Sequence, residues 1–210
     1  MSVPSLLPLP PHATAGTPGA GYATGVTLIE LLVTVAILAI ILAIGVPSLR
    51  EMQVRSQVGS ITSDFANDVA RARTEAITRN SCVAICTSIN TANALTGGTP
   101  TCAAVGNKNW QNGWIIFANP TCSTTQNNPT TNGSTLIAVR QTGDNNFKLE
   151  SSDSLRRLTF ESRGLTNSGQ SNFTLSYEPE SVSSPHYRSI CISSSGRVTV
   201  KQYAGVDACP

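Results

Sequence analysis

A single carboxylate, Glu30, lies near the start of an apolar run that carries no other charge up to Val46. As a helix, residues 26–46 extend roughly 32 Å at about 1.5 Å per residue, which matches the roughly 30 Å hydrocarbon core of a bilayer. A carboxylate in such a helix costs about 2.5–3.5 kcal/mol on insertion scales, so it requires a partner. The first Lys or Arg in the chain is Arg50. The segment therefore predicts a membrane helix whose acid pairs with a new N-terminus, with another subunit or at the lipid–water interface.

The segment GVTLIELL at positions 25–32 resembles the N-terminal signature of type IV pilins. The resemblance implies that a prepilin peptidase removes the leader, residues 1–25, by cutting between Gly25 and Val26. It also implies that the new amine of Val26 is N-methylated. Glu30 of one subunit would then pair with the Val26 amine of its neighbour, so that the acid sets the register of assembly.

A secretory signal peptide or a signal anchor is the alternative for this segment. A secretory signal predicts a cleavage site of small residues after the apolar run, whereas this chain continues directly into an amphipathic helix. The leader contains no Lys or Arg, although positive charge normally marks the cytoplasmic side, and Val26 stands where pilins usually have Phe or Met. The pilin-type signal is favoured. It implies a single-pass inner-membrane protein with a periplasmic head, whose partners are other pilins and the inner-membrane assembly platform.

Residues 47–80 are predicted to form an amphipathic helix. Apolar residues recur there at steps of three and four, which favours packing against a sheet. The stripe consists of Val54, Val58, Ile61, Phe65, Val69, Ala72 and Ala76. Charged residues, Asp64 and Asp68 among them, fall largely off this stripe. Pro47 stands where pilins commonly carry a helix-loosening proline, and because proline removes one backbone hydrogen bond a kink is expected there.

After Asn80 the pattern changes to short runs of β-branched and aromatic residues separated by Gly and polar loops. Strands are predicted at 81–87, 113–118, 135–141, 147–150, 155–161, 172–177, 187–193 and 197–202. One helix followed by antiparallel strands predicts an α+β fold in which the helix covers a sheet face. The predicted organisation is a leader (1–25), a membrane helix (26–46), an amphipathic helix (47–80) and a β-rich head (81–210).

All six cysteines follow the apolar run, and their even number on one side of a membrane favours disulfides in an oxidising periplasm. They are Cys82, Cys86, Cys102, Cys122, Cys191 and Cys209. The pairs Cys86–Cys102 and Cys191–Cys209 are favoured because each closes a short local loop. Zinc is the rival, but the chain has no C-x-x-C pair and only one histidine after the anchor. No metal site and no cofactor are therefore expected.

Three motifs in the head are similar to those of the GspH/FimT family of minor pilins and pseudopilins. They are Trp110-x-x-Gly113-Trp114-Ile115-Ile116-Phe117, Phe160-x-x-x-Gly164, and Ile190-Cys191-Ile192 followed by Gly196-Arg197-Val198. The resemblance implies the type IV pilin-like fold, a long N-terminal helix packed on an antiparallel sheet. It also implies a structural subunit near the tip of a type IV pilus or of a type II secretion pseudopilus. Trp114 lies in an apolar strand and is expected in the core.

The segment Gly196–Lys201 suggests a function of a second class. The likeness to FimT-type pilins implies DNA binding in natural transformation through a Gly-Arg-x-Arg motif, but here Thr199 replaces the second arginine. Alternate residues of a strand share a face, so Arg197 and Lys201 would retain a reduced basic surface. The alternative is that Arg197 is simply a solvated strand residue. Phosphate-binding, nucleophile-elbow and H-E-x-x-H motifs are missing from the sequence, so an enzyme is not expected.

Overall fold

The computed structural model of this chain describes residues 25–141, 143–178, 185–202 and 209. The predicted leader, apart from Gly25, lies outside these residues. The chain divides into two compact units, Met1–Val46 and Pro47–Pro210.

The helix α1 runs from Leu28 to Thr78 and so begins in the first unit and ends in the second. In the first unit its large apolar side chains, from Leu28 to Ile44, are exposed. This part is long and apolar enough to cross a membrane. The helix continues through Pro47, and the predicted kink stays a prediction.

In the second unit α1 buries the apolar stripe that its sequence period predicts. Val58, Phe65, Val69, Ala72 and Ala76 are completely buried. The helix ends where Asn80 adopts a left-handed conformation with φ +48° and the N–H of Ser81 bonds to the carbonyl of Ala76. Such a bond satisfies one of the carbonyls that a helix end leaves without a partner.

The head consists of eight strands, and all eight strands predicted from the sequence are present within a few residues. They are β1 (Val83–Thr87), β2 (Trp114–Ala118), β3 (Thr135–Arg140), β4 (Phe147–Ser151), β5 (Arg157–Phe160), β6 (Ser171–Tyr177), β7 (Arg188–Ile192) and β8 (Val198–Gln202). A short 3₁₀ helix, Thr91–Thr96, lies between β1 and β2. The α+β fold class is confirmed.

The strands form two four-stranded antiparallel sheets. Sheet A has the order β3-β2-β1-β5, and sheet B has the order β4-β6-β7-β8. The stripe of α1 forms one core with residues of both sheets, including Ile85 and Leu158 from sheet A and Phe173 and Ile190 from sheet B. The sequence predicted a sheet packed on the helix, and the structure shows that two sheets share this role.

The two sheets differ in how their outer faces are covered. In sheet B, β4 and β6 alternate between buried and half-buried residues along most of their length, as expected for a sheet with one solvated face. In sheet A, β1 and β2 are buried throughout. The outer face of sheet A carries a second apolar cluster, which includes Cys86, Cys102 and Phe117. The long loops after β1 and β2 therefore cover sheet A.

Three disulfides hold these segments in place, which confirms that the cysteines are oxidised in the fold. Cys86–Cys102 ties the loop after β1 to the strand itself. Cys82–Cys122 joins the residue before β1 to the loop after β2. Cys191–Cys209 connects β7 to the C-terminal segment.

Candidate functional site

The predicted processing site lies just before α1. Gly25, Val26 and Thr27 are exposed and outside any regular element, so the Gly25–Val26 peptide bond is not held within a helix. The backbone N–H of Glu30 donates to the hydroxyl of Thr27 at 3.3 Å. Glu30 itself is exposed in the first helical turn, where an acid interacts favourably with the helix dipole.

A polar cluster that the sequence did not reveal connects α1 to sheet A. Asp68 Oδ2 accepts a hydrogen bond from the indole N–H of Trp114 at 2.9 Å. The same oxygen accepts from Arg140 Nε at 3.1 Å and lies 3.0 Å from Arg140 Nη2. Asp68 and Trp114 are buried, and the Arg140 guanidinium lies 6.0 Å from the Trp114 ring centre. Trp114 is therefore a core residue, as predicted, and also a hydrogen-bond donor.

Gly113, in the motif from Trp110 to Phe117, lies close to the backbone of Arg140. This residue has φ +108°, and a Cβ atom there would lie 2.6 Å from the carbonyl oxygen of Arg140. The other motif tryptophan, Trp110, is fully buried and donates its indole N–H to the carbonyl of Leu155 at 2.8 Å. The motif thus builds the junction of α1, β2 and β3.

The two later motifs meet at a pair of glycines. A Cβ atom on Gly196, whose φ is +74°, would lie 2.7 Å from the carbonyl oxygen of Gly164. That carbonyl accepts from Arg73 Nε of α1 at 3.2 Å. The contact brings the turn that contains Arg163 next to the turn that contains Arg197. The two turns can pack against each other and against α1 only because both positions are glycine. The sequence motif alone does not reveal this role.

Arg197 and Lys201, the candidate DNA contacts, both line a groove of about 230 Å³ beside the edge strand β8. The other lining residues are Gln170, Cys191, Ser193 and Thr199. Arg197, Thr199 and Lys201 are exposed. Within the described part of the chain neither Arg197 nor Lys201 takes part in an ion pair. The groove therefore presents two cations to solvent.

Other cations of sheet B are engaged elsewhere. Lys148 pairs with Glu178 at 2.8 Å, and the hydrogen bond with Glu178 raises the Lys148 pKa above its ordinary value. Arg188 donates to the carbonyls of Pro185 and Tyr187 at 2.6 and 2.9 Å. Among the described residues, His, Cys, Asp and Glu do not gather in groups of three or more that could hold a metal ion.

An exposed apolar N-terminal helix with one acid in its first turn, followed by a head of antiparallel sheets, defines the class of type IV pilin-like proteins. The sequence matches two known families in agreement with this class. Residues 22–46 match the prokaryotic N-terminal methylation motif. Residues 62–196 match the family of the type II transport protein GspH. Since this match covers more than half of the chain, the protein belongs to the GspH family of minor pilins and pseudopilins, which are structural subunits.

Two solved structures are similar to this chain, both crystal structures of the type IV minor pilin FimU from Pseudomonas aeruginosa (strain PAO1). The first is 14% identical in sequence, and its alignment covers 68% of this chain and 91% of the FimU chain, with a TM-score of 0.47. The second, in another crystal form, is also 14% identical, and its alignment covers 70% of this chain and 90% of the FimU chain, with a TM-score of 0.49. None of the curated proteins matches the sequence.

Proposed function

We propose that this protein is a minor pilin or pseudopilin that is cut between Gly25 and Val26 and assembles through Glu30. The observation that supports this most is the position of Glu30. It is the only charged residue between Met1 and Leu49, and it lies at the start of a helix whose apolar side chains are exposed. Such a helix must be covered by lipid or by other subunits, and its acid must be paired there.

The proposed pairing follows from the chemistry of the cut. Cleavage creates an amine at Val26, one helical turn before Glu30, and N-methylation leaves its positive charge in place. In a bundle of such helices the amine of one subunit neutralises the carboxylate of the next. Because an uncompensated charge in the bundle is costly, the pair selects a single axial register.

The proposed location is the inner membrane, with the head in the periplasm. Oxidised cysteines in the head support this side of the membrane, since disulfides persist in oxidising compartments. The proposed partners are the prepilin peptidase, the assembly platform of the inner membrane and the other pilins or pseudopilins of a tip complex.

The test replaces Glu30 in the full-length protein, expressed with its own filament system. Glu30→Gln and Glu30→Ala should leave the protein in the membrane but reduce its amount in sheared filaments by at least about tenfold, which corresponds to about 1.4 kcal/mol. Glu51→Gln is the matched control, because Glu51 is an exposed acid of the same helix whose partner, Arg55, is one turn away at 3.1 Å. Wild-type incorporation of the Glu30 variants would refute the assembly role.

The cleavage is tested separately by mass spectrometry of the intact mature protein. The expected chain starts at Val26 and carries one N-methyl group. A chain that starts at any other residue would contradict the proposed cut, whatever the result for Glu30.

The groove beside β8 supports a second function, DNA binding by the tip subunit. Arg197 and Lys201 line it together, and the turn of Arg163 lies next to that of Arg197. Two or three cations provide only two or three phosphate contacts, so weak binding is expected, with a shallow slope of about −2 to −3 for log K against log salt.

This function is tested by titrating a labelled DNA duplex with the full-length protein in detergent at several salt concentrations. Each phosphate contact contributes about −0.9 to the slope of log K against log salt. Arg197→Ala should therefore flatten the slope by about that amount. Lys148→Ala is the matched control, because the Lys148 charge is already paired with Glu178. Equal slopes for the wild-type protein and Arg197→Ala would show that the groove beside β8 does not bind DNA.

A further inference from the structure

A buried arginine that has no acidic partner within the described part of the chain lies on the outer face of sheet A. Arg157, in the edge strand β5, is only 7% exposed. Its Nη1 donates to the carbonyl of Thr124 at 2.7 Å, and its Nη2 donates to Asn127 Oδ1 at 2.7 Å and to the carbonyl of Gln126. All of these acceptors belong to the loop after β2. They are uncharged, so they solvate the guanidinium without neutralising it.

A second guanidinium adjoins the first. Arg156 donates from Nη1 to the carbonyl of Ala103 at 2.8 Å and to Asn127 Oδ1 at 3.0 Å. Burial and the neighbouring charge of Arg156 lower the pKa of Arg157 to about 10, which still leaves Arg157 cationic at neutral pH. Within the described ranges neither arginine takes part in an ion pair. Two adjacent positive charges thus lack a protein counter-ion in a partly buried site, where electrostatic interactions are stronger than in water.

Both arginines line a cavity of about 260 Å³, which we call the β5 cavity. Four segments converge on it: the loop after β1, the loop after β2, the strand β5 with the residues before it, and the turn after β5. Its other lining residues are Val105, Gly106, Thr124, Ser154, Leu155, Thr159, Asn167 and Ser168. Pockets for drug-sized ligands begin at roughly 300 Å³, so this volume suits a smaller molecule.

Two buried hydrogen-bond donors in the lining residues have no partner among the residues that the structure describes. They are Nε of Arg157 and Oγ1 of Thr159, which stand two positions apart on the same face of β5. Both residues are more than nine-tenths buried. Buried donors are normally bonded, because leaving one without an acceptor costs the free energy of its lost hydration. The site therefore combines positive charge with donors that require acceptors.

The geometry points to an oxyanion-binding site in the β5 cavity, with a carboxylate or a phosphate group as its ligand. The charge of such a group would neutralise the two guanidinium groups. Arg157 Nε and Thr159 Oγ1 are closed to solvent in the structure, so its oxygens would accept from them once the two side chains turn toward the cavity. Arginine forms its strongest hydrogen bonds with carboxylate and phosphate oxygens. Chloride provides the charge but not several directed acceptor oxygens.

The test measures thermal unfolding of the full-length protein in detergent by the fluorescence of the buried Trp110 and Trp114. Sodium acetate and sodium phosphate are titrated at constant ionic strength against sodium chloride. A ligand that binds only the folded state raises the unfolding temperature until the cavity is saturated. We expect a saturable rise with at least one of the two oxyanions, and the anion that gives it identifies a carboxylate or a phosphate site.

Three variants separate binding from general salt effects. Thr159→Val, which is nearly isosteric, and Arg156→Gln should each reduce the anion-dependent rise at least threefold. Thr62→Val is the matched control. Thr62 is also buried, and its hydroxyl has no partner among the described residues, but it does not line the cavity. A rise that never saturates, or that is equal in the wild-type protein and Thr159→Val, would be the general stabilisation by excluded salts and would refute the site.

A spectroscopic measurement keeps the proposal testable if a variant does not fold. In the wild-type protein labelled with ¹⁵N on arginine, the Nε–H signal of Arg157 should shift with the same saturation curve as the unfolding temperature. Signals of the exposed Arg197 should shift only as they do with chloride. An Arg157 signal that does not respond to acetate or to phosphate would overturn the proposal.

Discussion

The indole N–H of Trp114 donates to the carboxylate of Asp68 at 2.9 Å, across 46 positions of the sequence. Because Arg140 bonds to the same carboxylate oxygen, one acid of α1 holds the adjacent strands β2 and β3. Both donors are needed to satisfy an acid that is only 7% exposed. The cluster thus specifies how α1 packs on sheet A, in addition to the apolar stripe.

Removing this acid should destabilise the head. Asp68→Ala leaves the Trp114 N–H buried without an acceptor and removes the partner of Arg140. We expect a loss of about 2–3 kcal/mol in the free energy of unfolding, since hydrogen bonds to charged groups are worth about 1.5–3 kcal/mol each and Arg140 can recruit water. Urea unfolding followed by tryptophan fluorescence measures it.

The matched control is Asp64→Ala, one turn earlier on the same helix. Asp64 is 3.7 Å from Arg140, and its side chain is 44% exposed. Exposed pairs of this kind contribute about 0–1 kcal/mol, so the expected change is under about 0.5 kcal/mol. Equal losses for the two variants would show that Asp68 acts only as a surface charge.

The Asp68 cluster illustrates what the sequence can and cannot predict. The stripe of α1 and the eight strands depend on local periodicity, and the sequence predicts both. The role of Asp68 depends on Arg140, which is 72 positions away, so no local pattern connects the two residues. Local periodicity therefore places Asp68 on the polar side of the helix.

The division of the strands into two sheets cannot be predicted from the sequence for a similar reason. A strand pattern shows which residues face a core, but it does not show which strand lies beside which. The burial of Arg157 is also hidden, because its acceptors lie in a polar loop about 30 positions earlier in the chain. Glu30, Gly25 and Val26 stand out because their signal is a contiguous motif.

The aromatic centre of the core depends on Phe65. Its ring lies 5.4 Å from that of Trp110, 5.3 Å from that of Trp114 and 4.9 Å from that of Phe173, measured between ring centres. Phe65→Ala should cost about 3–5 kcal/mol, since truncation of a buried Phe removes its contacts and leaves a cavity. Met52→Ala, at a position of the same helix that is 64% exposed, should change stability by less than about 0.5 kcal/mol. Similar costs for the two variants in urea unfolding would contradict the assignment of this core.

Gly113 should not tolerate a side chain. Gly113→Ala adds a Cβ atom 2.6 Å from the Arg140 carbonyl at a backbone φ of +108°, so the β2–β3 junction must shift. We expect a loss of at least about 3 kcal/mol, the sum of backbone strain and a displaced contact.

Gly169→Ala is the control, because Gly169 also has a positive φ, but a Cβ atom added there would have no neighbour within 4 Å. It should lose only about 1 kcal/mol, the strain of a left-handed residue. The difference between the two thermal unfolding curves isolates the steric contact.

The three disulfides should differ in their contribution to stability according to the loops that they close. The chain-entropy relation gives about 4 kcal/mol for Cys82–Cys122, which spans 40 positions, and about 3 kcal/mol for Cys191–Cys209, which spans 18. Replacing each pair by two alanines and measuring unfolding in urea without reductant tests this order. Each double variant should also show a larger m-value, because its unfolded chain is less constrained. A smaller loss for Cys82–Cys122 than for Cys191–Cys209 would mean that native contacts of the C-terminal segment, rather than loop entropy, determine what the disulfides contribute.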